Sequence, residues 1–396
     1  MIDTNPKKIQ EALTRGVENI YPTKEELEKA LFSGKKLRIY NGIDPTGKLH
    51  VGHAAVLLKL RQFQDLGHDI IVLIGDFTAT IGDPTGKAQT RKVLTHKDVL
   101  RNAKDYKKLI YKILNSKNGS VKFVFNSSWT NKIKPADLLS LARNFTVARL
   151  LERDMFQERI KSGNDITVQE FLYPIFQAYD SVAMDVDMEI GGNDQTFNML
   201  AGRTLMRKTK DKEKFVLATK LLVDATGKKM GKTEGNMVNL DESPNDMLGK
   251  IMSWPDEIII PAFELCTRVS SEEIEEIKRI SNPRDQKAKL AFEIVKMFHG
   301  EKEAEKASEE FDRVHREGEL PAEMEIFSTD RKEYPVIDLL CDAKLVPSRK
   351  EAKRLAEAGA VDIDGIVQKD WQKSIEIKDG LVIKVGKRRF VKINLK

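Results

Sequence analysis

Cysteine is almost missing from this sequence: 396 residues contain two, Cys266 and Cys341. They stand far apart and beside no histidine cluster, which argues against a disulfide framework and against a zinc site. Both are expected to be reduced core residues in a cytoplasmic protein. Long apolar runs are missing too, so no membrane-spanning helix is expected. The opening residues, Met1-Ile2-Asp3-Thr4-Asn5-Pro6, lack the basic-then-apolar pattern of a secretory signal. No Ser/His/Asp or Cys/His constellation for nucleophilic catalysis is visible. A strong charge of one sign is likewise absent, the net charge being +6.

What is present is ordinary in bulk and uneven in detail. The length implies two or three domains. Hydrophobic content of 40% and charged content of 32% fit a soluble globular protein. From Lys332 to Lys396 there are 15 Lys+Arg against 10 Asp+Glu, so nearly all of the positive excess lies in the last sixth of the chain. That distribution points to a nucleic-acid contact there.

The most informative stretch is Tyr40 to His53, Y-N-G-I-D-P-T-G-K-L-H-V-G-H. The apolar run Leu37-Arg38-Ile39-Tyr40 reads as a buried strand. From Ala54, the residues Val56, Leu57, Leu60 and Phe63 follow a helical spacing. A strand-to-helix connection of this kind builds the ligand crevice of an open α/β sheet. Gly42, Gly47 and Gly52 allow close backbone approach. His50 and His53 begin the helix, whose free N–H groups attract anions. Together they point to a bound polyphosphate.

His68 to Asp76 reads as a second buried strand, completing a β-α-β unit. Ile81-Gly-Asp-Pro-Thr-Gly-Lys87 is a turn that offers Asp83 and Lys87, with Arg91 beyond it. Residues 1 to 36 read as helical, as does one long stretch from Leu138 to Ile160, with Val121 to Phe125 strand-like. The stripe Leu141, Phe145, Ala148, Leu151 and Met155 suits an oligomer face. Tyr173, Gln177 and Asp180 stand at i, i+4 and i+7, one face of a helix. A phenol, an amide and a carboxylate amid Phe171, Leu172, Ile175 and Phe176 fit a small ligand carrying an ammonium and a hydroxyl. The strand Met188-Glu-Ile190 runs into Gly191-Gly-Asn-Asp-Gln195, and Phe215 to Leu222 leads to Asp224-Ala-Thr-Gly-Lys-Lys-Met-Gly-Lys-Thr233. Lys229 and Lys232 there can swing onto phosphates. Helices follow from Ser243. In the tail, Ser348 and Glu351 start a helix carrying Arg349, Lys350, Lys353 and Arg354. Asp364-Gly365 marks a hairpin beside it. A basic helix beside a hairpin suits a structured RNA backbone.

These blocks resemble the class I aminoacyl-tRNA synthetases and, within them, the bacterial tyrosyl-tRNA synthetases. The class signatures are His50-Val51-Gly52-His53 and Lys229-Met230-Gly231-Lys232-Thr233. The second departs from the usual K-M-S-K-S at Gly231 and Thr233 and keeps both lysines. The resemblance implies an α/β fold: a Rossmann-like parallel-sheet catalytic domain over residues 1–240, an α-helical domain over 241–325, and a small α+β S4-like RNA-binding domain over 332–396. It implies L-tyrosine, ATP with Mg²⁺ and tRNA(Tyr) as substrates, a homodimer, and no tightly held protein-ligated metal. Carried over residue by residue, it places Tyr40 and Asp180 on the substrate phenol and Asp83, Tyr173 and Gln177 on the ammonium. Asp194 and Gln195, near Gly192, fall on the ribose and carboxylate. Gly42, Asp44, Gly52 and Met230 fall in the ATP site. Thr46, His50, Lys87, Arg91, Lys229 and Lys232 fall on phosphates, with His53 near the ribose.

Overall fold

The computed structural model describes residues 2–83, 94–116, 119, 121–223, 237–316, 324–386 and 389–396. The chain divides into two compact units, Met1–Ala304 and Glu305–Lys396.

The first unit is built on a six-stranded sheet. Its strands are β1 (Val17–Tyr21), β2 (Arg38–Ile43), β3 (Asp69–Ile74), β4 (Val121–Phe125), β5 (Met188–Gly192) and β6 (Phe215–Thr219), in the order β1-β6-β5-β2-β3-β4. Strands β2 to β6 are parallel, and β1 pairs antiparallel with β6 at the edge. The parallel part starts at β2, grows through β3 to β4, then the chain returns to lay β5 on the other side of β2. That reversal opens a crevice at the carboxyl ends of β2 and β5, where such sheets bind ligands. β3 shows why the sheet is parallel. Ile70, Ile71, Val72, Leu73 and Ile74 are all buried, with no alternation, because helices cover both faces. The helix Val51–Asp65 joins β2 to β3 and buries Ala54, Leu57, Leu60 and Phe63 completely.

Two regions differ from the sequence reading. Residues 1 to 36 are not uniformly helical: Pro6–Thr14 and Lys24–Phe32 are helices, with β1 between them. Gly16, at φ 63, turns the chain out of the first helix, and the β-prone Val17, Ile20 and Tyr21 complete the sheet edge. The stretch from Leu138 to Ile160 is broken into Pro135–Ala142, Val147–Leu151 and Asp154–Lys161. Helices Pro244–Met252, Ile259–Cys266, Ser271–Lys278 and Pro283–His299 follow. Cys266 is a buried free thiol among them, pushed up to about 12 by burial.

The second unit carries a five-stranded sheet, order β10-β9-β12-β13-β7, and the pair β11-β8. The strands are β7 (Glu325–Thr329), β8 (Glu333–Pro335), β9 (Val361–Ile363), β10 (Ile366–Val367), β11 (Ser374–Glu376), β12 (Val382–Val385) and β13 (Arg389–Leu395). Helices Val336–Asp342 and Arg349–Glu357 pack on it around Leu339, Leu340, Ala352 and Ile383, with the free Cys341 half-buried at the margin. Asp364 and Gly365 both have positive φ, 48° and 81°, as a two-residue hairpin of the I′ type requires. Among the described residues no helix is long and apolar enough to cross a membrane.

Candidate active site

His50 is the N-cap of the helix Val51–Asp65, and His53 is its third residue. His50 Nδ1 accepts the Gly52 N–H at 3.1 Å, and His53 Nδ1 accepts the His50 N–H at 3.2 Å. The two ring centroids lie 4.0 Å apart, the planes tilted by 53°. With Nδ1 accepting, a neutral ring carries its proton on Nε2, a donor suited to a phosphate oxygen. Gly52 is needed for the packing, since a Cβ there would stand 2.9 Å from His50 Cε1. His50 also bridges Asn239, and Val51 donates to Val238 O at 2.9 Å. The residues that follow the lysine-rich motif are thereby stitched to the histidine turn.

The helix Val168–Met184 presents Tyr173, Gln177 and Asp180 to one side, as their spacing predicts. Tyr173 Oη donates to Asp44 Oδ2 at 2.8 Å, and Thr78 Oγ1 donates to Asp44 Oδ1 at 2.7 Å. Asp180 is 1% exposed and accepts from Trp129 Nε1 at 2.7 Å and Asn126 Nδ2 at 3.3 Å. Burial pushes its carboxyl well above the usual range, opposed by those two bonds. Tyr40, fully buried in β2, pairs with Ser181 Oγ at 2.9 Å. Its phenol is also held far above its ordinary value, by burial and then by the charges of Glu189 and Asp180. Gln177 Nε2 donates to Glu189 Oε1 at 3.1 Å.

Across the crevice, Gln195 Nε2 donates to Asp83 Oδ2 at 2.8 Å, and Arg153 lies 3.4 Å from Asp83 Oδ1. Gly192 ends β5 in close quarters, because a Cβ there would meet Asp194 Oδ1 at 2.6 Å. Gly42 is roomier, with Leu73 at 3.6 Å from such a Cβ. Thr46 follows β2, its N–H donating to Asp44 O at 2.7 Å. Lys87, Arg91, Lys229, Met230 and Lys232 lie outside the described residues. Sequence reasoning assigned no role to Asn126, Trp129, Arg153, Ser181, Glu189 or Lys214. The motif Asn126-Ser-Ser-Trp129 at the end of β4 was the visible signal for the first two. Among the described residues no group of three or more His, Cys, Asp or Glu is placed to hold a metal ion.

In the second unit, Ser348 caps the helix Arg349–Glu357 and leaves Arg349, Lys350, Lys353 and Arg354 exposed. Arg349 pairs with Asp338 at 2.6 Å, Arg354 grips Glu351 at 2.7 and 2.9 Å, and Lys353 lies 4.8 Å from the Trp371 ring centroid.

Residues 33–316 match the family model for class I tRNA synthetases (W and Y), and residues 318–393 match the SYY-like C-terminal domain of tyrosine–tRNA ligases. The chain is 43% identical over 396 residues to the tyrosine–tRNA ligase of Thermotoga maritima, covering 98% of each. It is 44% identical over 371 residues to that of Aquifex aeolicus, covering 93% of this chain and 94% of the relative. Among solved structures, a C-terminally truncated mitochondrial tyrosyl-tRNA synthetase of Coccidioides posadasii aligns at TM-score 0.65 and 25% identity, covering 76% of this chain and 91% of the other. The tyrosyl-tRNA synthetase of Archaeoglobus fulgidus, complexed with L-tyrosine, aligns at TM-score 0.62 and 24% identity, covering 76% and 99%.

Proposed function

We infer the work of these side chains from the family to which the chain belongs, the class I tRNA synthetases of the tryptophan and tyrosine group. The enzyme is a tyrosine–tRNA ligase: it activates L-tyrosine with ATP and passes the tyrosyl group to tRNA. The observation that carries the tyrosine reading is the buried pair of polar groups, Tyr40 and Asp180, set among Ile71, Leu73 and Trp129. A phenol hydroxyl satisfies both, and phenylalanine leaves both unpaired in a dry site, which is costly.

In the roles we propose, Tyr40 and Asp180 hold the substrate phenol. Asp83, Tyr173 and Gln177 surround its ammonium, and Asp194 and Gln195 reach the ribose and carboxylate. Gly42, Asp44, Gly52 and Gly192 shape the ATP site. Thr46 and His50 meet the phosphates from the crevice, and His53 stands near the ribose. Lys87, Arg91, Lys229 and Lys232, assigned from the sequence alone, complete the phosphate contacts, with Met230 beside them. In the first step the tyrosine carboxylate attacks the α-phosphorus and pyrophosphate departs. The attacking group is already ionised, so no general base is required; catalysis is positioning and stabilisation of charge growing on the leaving group. Mg²⁺ accompanies the ATP phosphates as part of the substrate. In the second step a hydroxyl of the terminal ribose attacks the tyrosyl carbonyl and AMP leaves. The exposed Arg349, Lys350, Lys353 and Arg354 meet tRNA phosphates. The setting is cytoplasmic, and the active form is a homodimer, supported by the exposed Leu139, Val147 and Val168 on the helices after β4.

The test is amino-acid-dependent ATP–pyrophosphate exchange with tyrosine, phenylalanine and tryptophan in parallel. Exchange with tyrosine alone is expected; exchange with tryptophan would move the chain to the other branch of its family. Asp180→Ala is expected to lower kcat/KM for tyrosine by roughly five- to a hundredfold, because the substrate hydroxyl is left without its partner in a dry site, at about 1–3 kcal/mol. The KM for ATP should stay within twofold of wild type, and unchanged tyrosine kinetics would remove Asp180 from the pocket.

A further inference from the structure

Beneath the pocket lies a charge that the activation chemistry does not use. Lys214, just before β6, is 0% exposed, and its ammonium pairs with Glu189 of β5, itself 2% exposed. Lys214 Nζ also donates to Ser181 Oγ at 2.9 Å and lies 5.5 Å from the centroid of the Tyr40 ring. Burial disfavours the ammonium, and Glu189 is the largest influence that favours it. The helix Thr196–Lys210 makes room for it with Gly202, where a Cβ would stand 2.5 Å from Lys214 Nζ and 2.7 Å from Ser181 Oγ.

The pair touches both ends of the substrate site. Ser181 Oγ is 2.9 Å from Tyr40 Oη, and Glu189 Oε1 accepts from Gln177 Nε2 at 3.1 Å. A lysine ammonium has donors only, and an ionised carboxylate has acceptors only. Ser181 Oγ therefore accepts from Lys214, which leaves its own proton to be offered to Tyr40 Oη. Tyr40, having accepted, keeps its O–H to donate, with Glu189 beside it as the acceptor that a substrate oxygen would replace. At the other end, Glu189 takes the Gln177 N–H, which leaves Gln177 Oε1 as the acceptor. The unlike chemistry of the two charges fixes the bonds they make themselves and, through Ser181, favours the arrangement in which Tyr40 accepts.

We propose that Lys214 and Glu189 are positioning residues that set the hydrogen-bond polarity of the tyrosine pocket. Lys214, through Ser181, makes Tyr40 a donor to the substrate phenol oxygen, and Glu189 makes Gln177 an acceptor from the substrate ammonium. The proposal rests on the tyrosine reading above. With Tyr40 donating and Asp180 accepting, the site requires a group that both accepts and donates at one oxygen. A hydroxyl does so and a ring hydrogen does not.

Two variants test it by pyrophosphate exchange on the full-length enzyme. Lys214→Met with Glu189→Gln removes both charges together and leaves no buried ion alone. Ser181→Ala keeps the charges and cuts the relay to Tyr40. In both, the tyrosine-to-phenylalanine ratio of kcat/KM is expected to fall at least tenfold, chiefly through the tyrosine KM. The KM for ATP should stay within twofold. In the Ser181→Ala background, Tyr40→Phe should cost less than it does in wild type, because the donor has already lost its orientation. A merely structural pair would lower the melting temperature and leave the ratio untouched, and folded variants with a wild-type ratio would overturn the proposal. If the double variant fails to fold, Ser181→Ala decides alone. Failure of the tyrosine reading would show separately, as wild-type enzyme that exchanges nothing with tyrosine.

Discussion

His68 shows how much a single buried side chain decides. It is 1% exposed ahead of β3, and its Nδ1 accepts the Leu37 N–H at 3.2 Å, which requires the ring to lack a proton at that nitrogen. Burial pulls its pKa from 6.5 down to about 4. Between those values the unfolded chain holds a proton that the folded chain lacks, so stability is lost as pH falls through the window. At about 1.36 kcal/mol per pKa unit, the loss from this residue reaches about 3 kcal/mol at most. His68→Gln retains an acceptor for Leu37 and is expected to flatten the urea midpoint against pH between 6.5 and 4; a wild-type slope in that variant would clear His68 of the effect. No sequence pattern announces such a residue, because its partner is 31 positions away. The same limit hid the role of Trp129 and Asn126, whose motif is visible in the sequence but whose partner Asp180 lies 51 and 54 positions away. His50 and His53, or Tyr173, Gln177 and Asp180, were legible because helical spacing alone brings each set together.

Elements that obey one period were readable, and those shaped by a distant partner were not. The buried run of β3 and the helix after the histidines appear in the sequence as they do in the fold. β1 was hidden because it is a strand only through its pairing with β6, some 200 residues later. The stretch after Leu138 breaks partly because Arg153, a residue no helical stripe would bury, turns inward to lie beside Asp83. Of the stripe read as an oligomer face, Leu141 and Phe145 pack inward against Ala178, Ala201 and Leu205. Outside that stripe, Leu139, Val147 and Val168 are 72%, 65% and 76% exposed. Large apolar side chains left in water on adjoining helices favour a partner surface. Val147→Glu is expected to shift the sedimentation velocity profile from dimer toward monomer at micromolar protein, with the far-ultraviolet circular dichroism unchanged. A profile identical to wild type would place any dimer contact elsewhere.

At the scale of the whole molecule, charge separates the two tasks. The chain carries +6, and residues 332–396 carry 15 basic against 10 acidic side chains. Amino-acid activation uses small substrates at the crevice of the sheet, whereas a tRNA backbone is met by counterion-releasing contacts wherever cations are exposed. On the helix Arg349–Glu357 the four cations are not equal. Arg354 is held by two bonds to Glu351, Arg349 by Asp338, and Lys353 lies over Trp371, so each would have to give up a partner to reach a phosphate. Lys350 is exposed and has no side-chain partner among the described residues, so it has least to lose. Lys350→Ala is therefore expected to weaken tRNA binding more than Arg354→Ala does. It should lower the slope of log affinity against log salt by about 0.7–0.9, the value of one phosphate contact. Tyrosine-dependent pyrophosphate exchange requires no tRNA and should be unchanged in both variants. If exchange fell in step with tRNA binding, the basic helix would be acting on the activation chemistry itself. If the salt slope stayed at its wild-type value in both, the phosphate contacts of the tail would lie on another face.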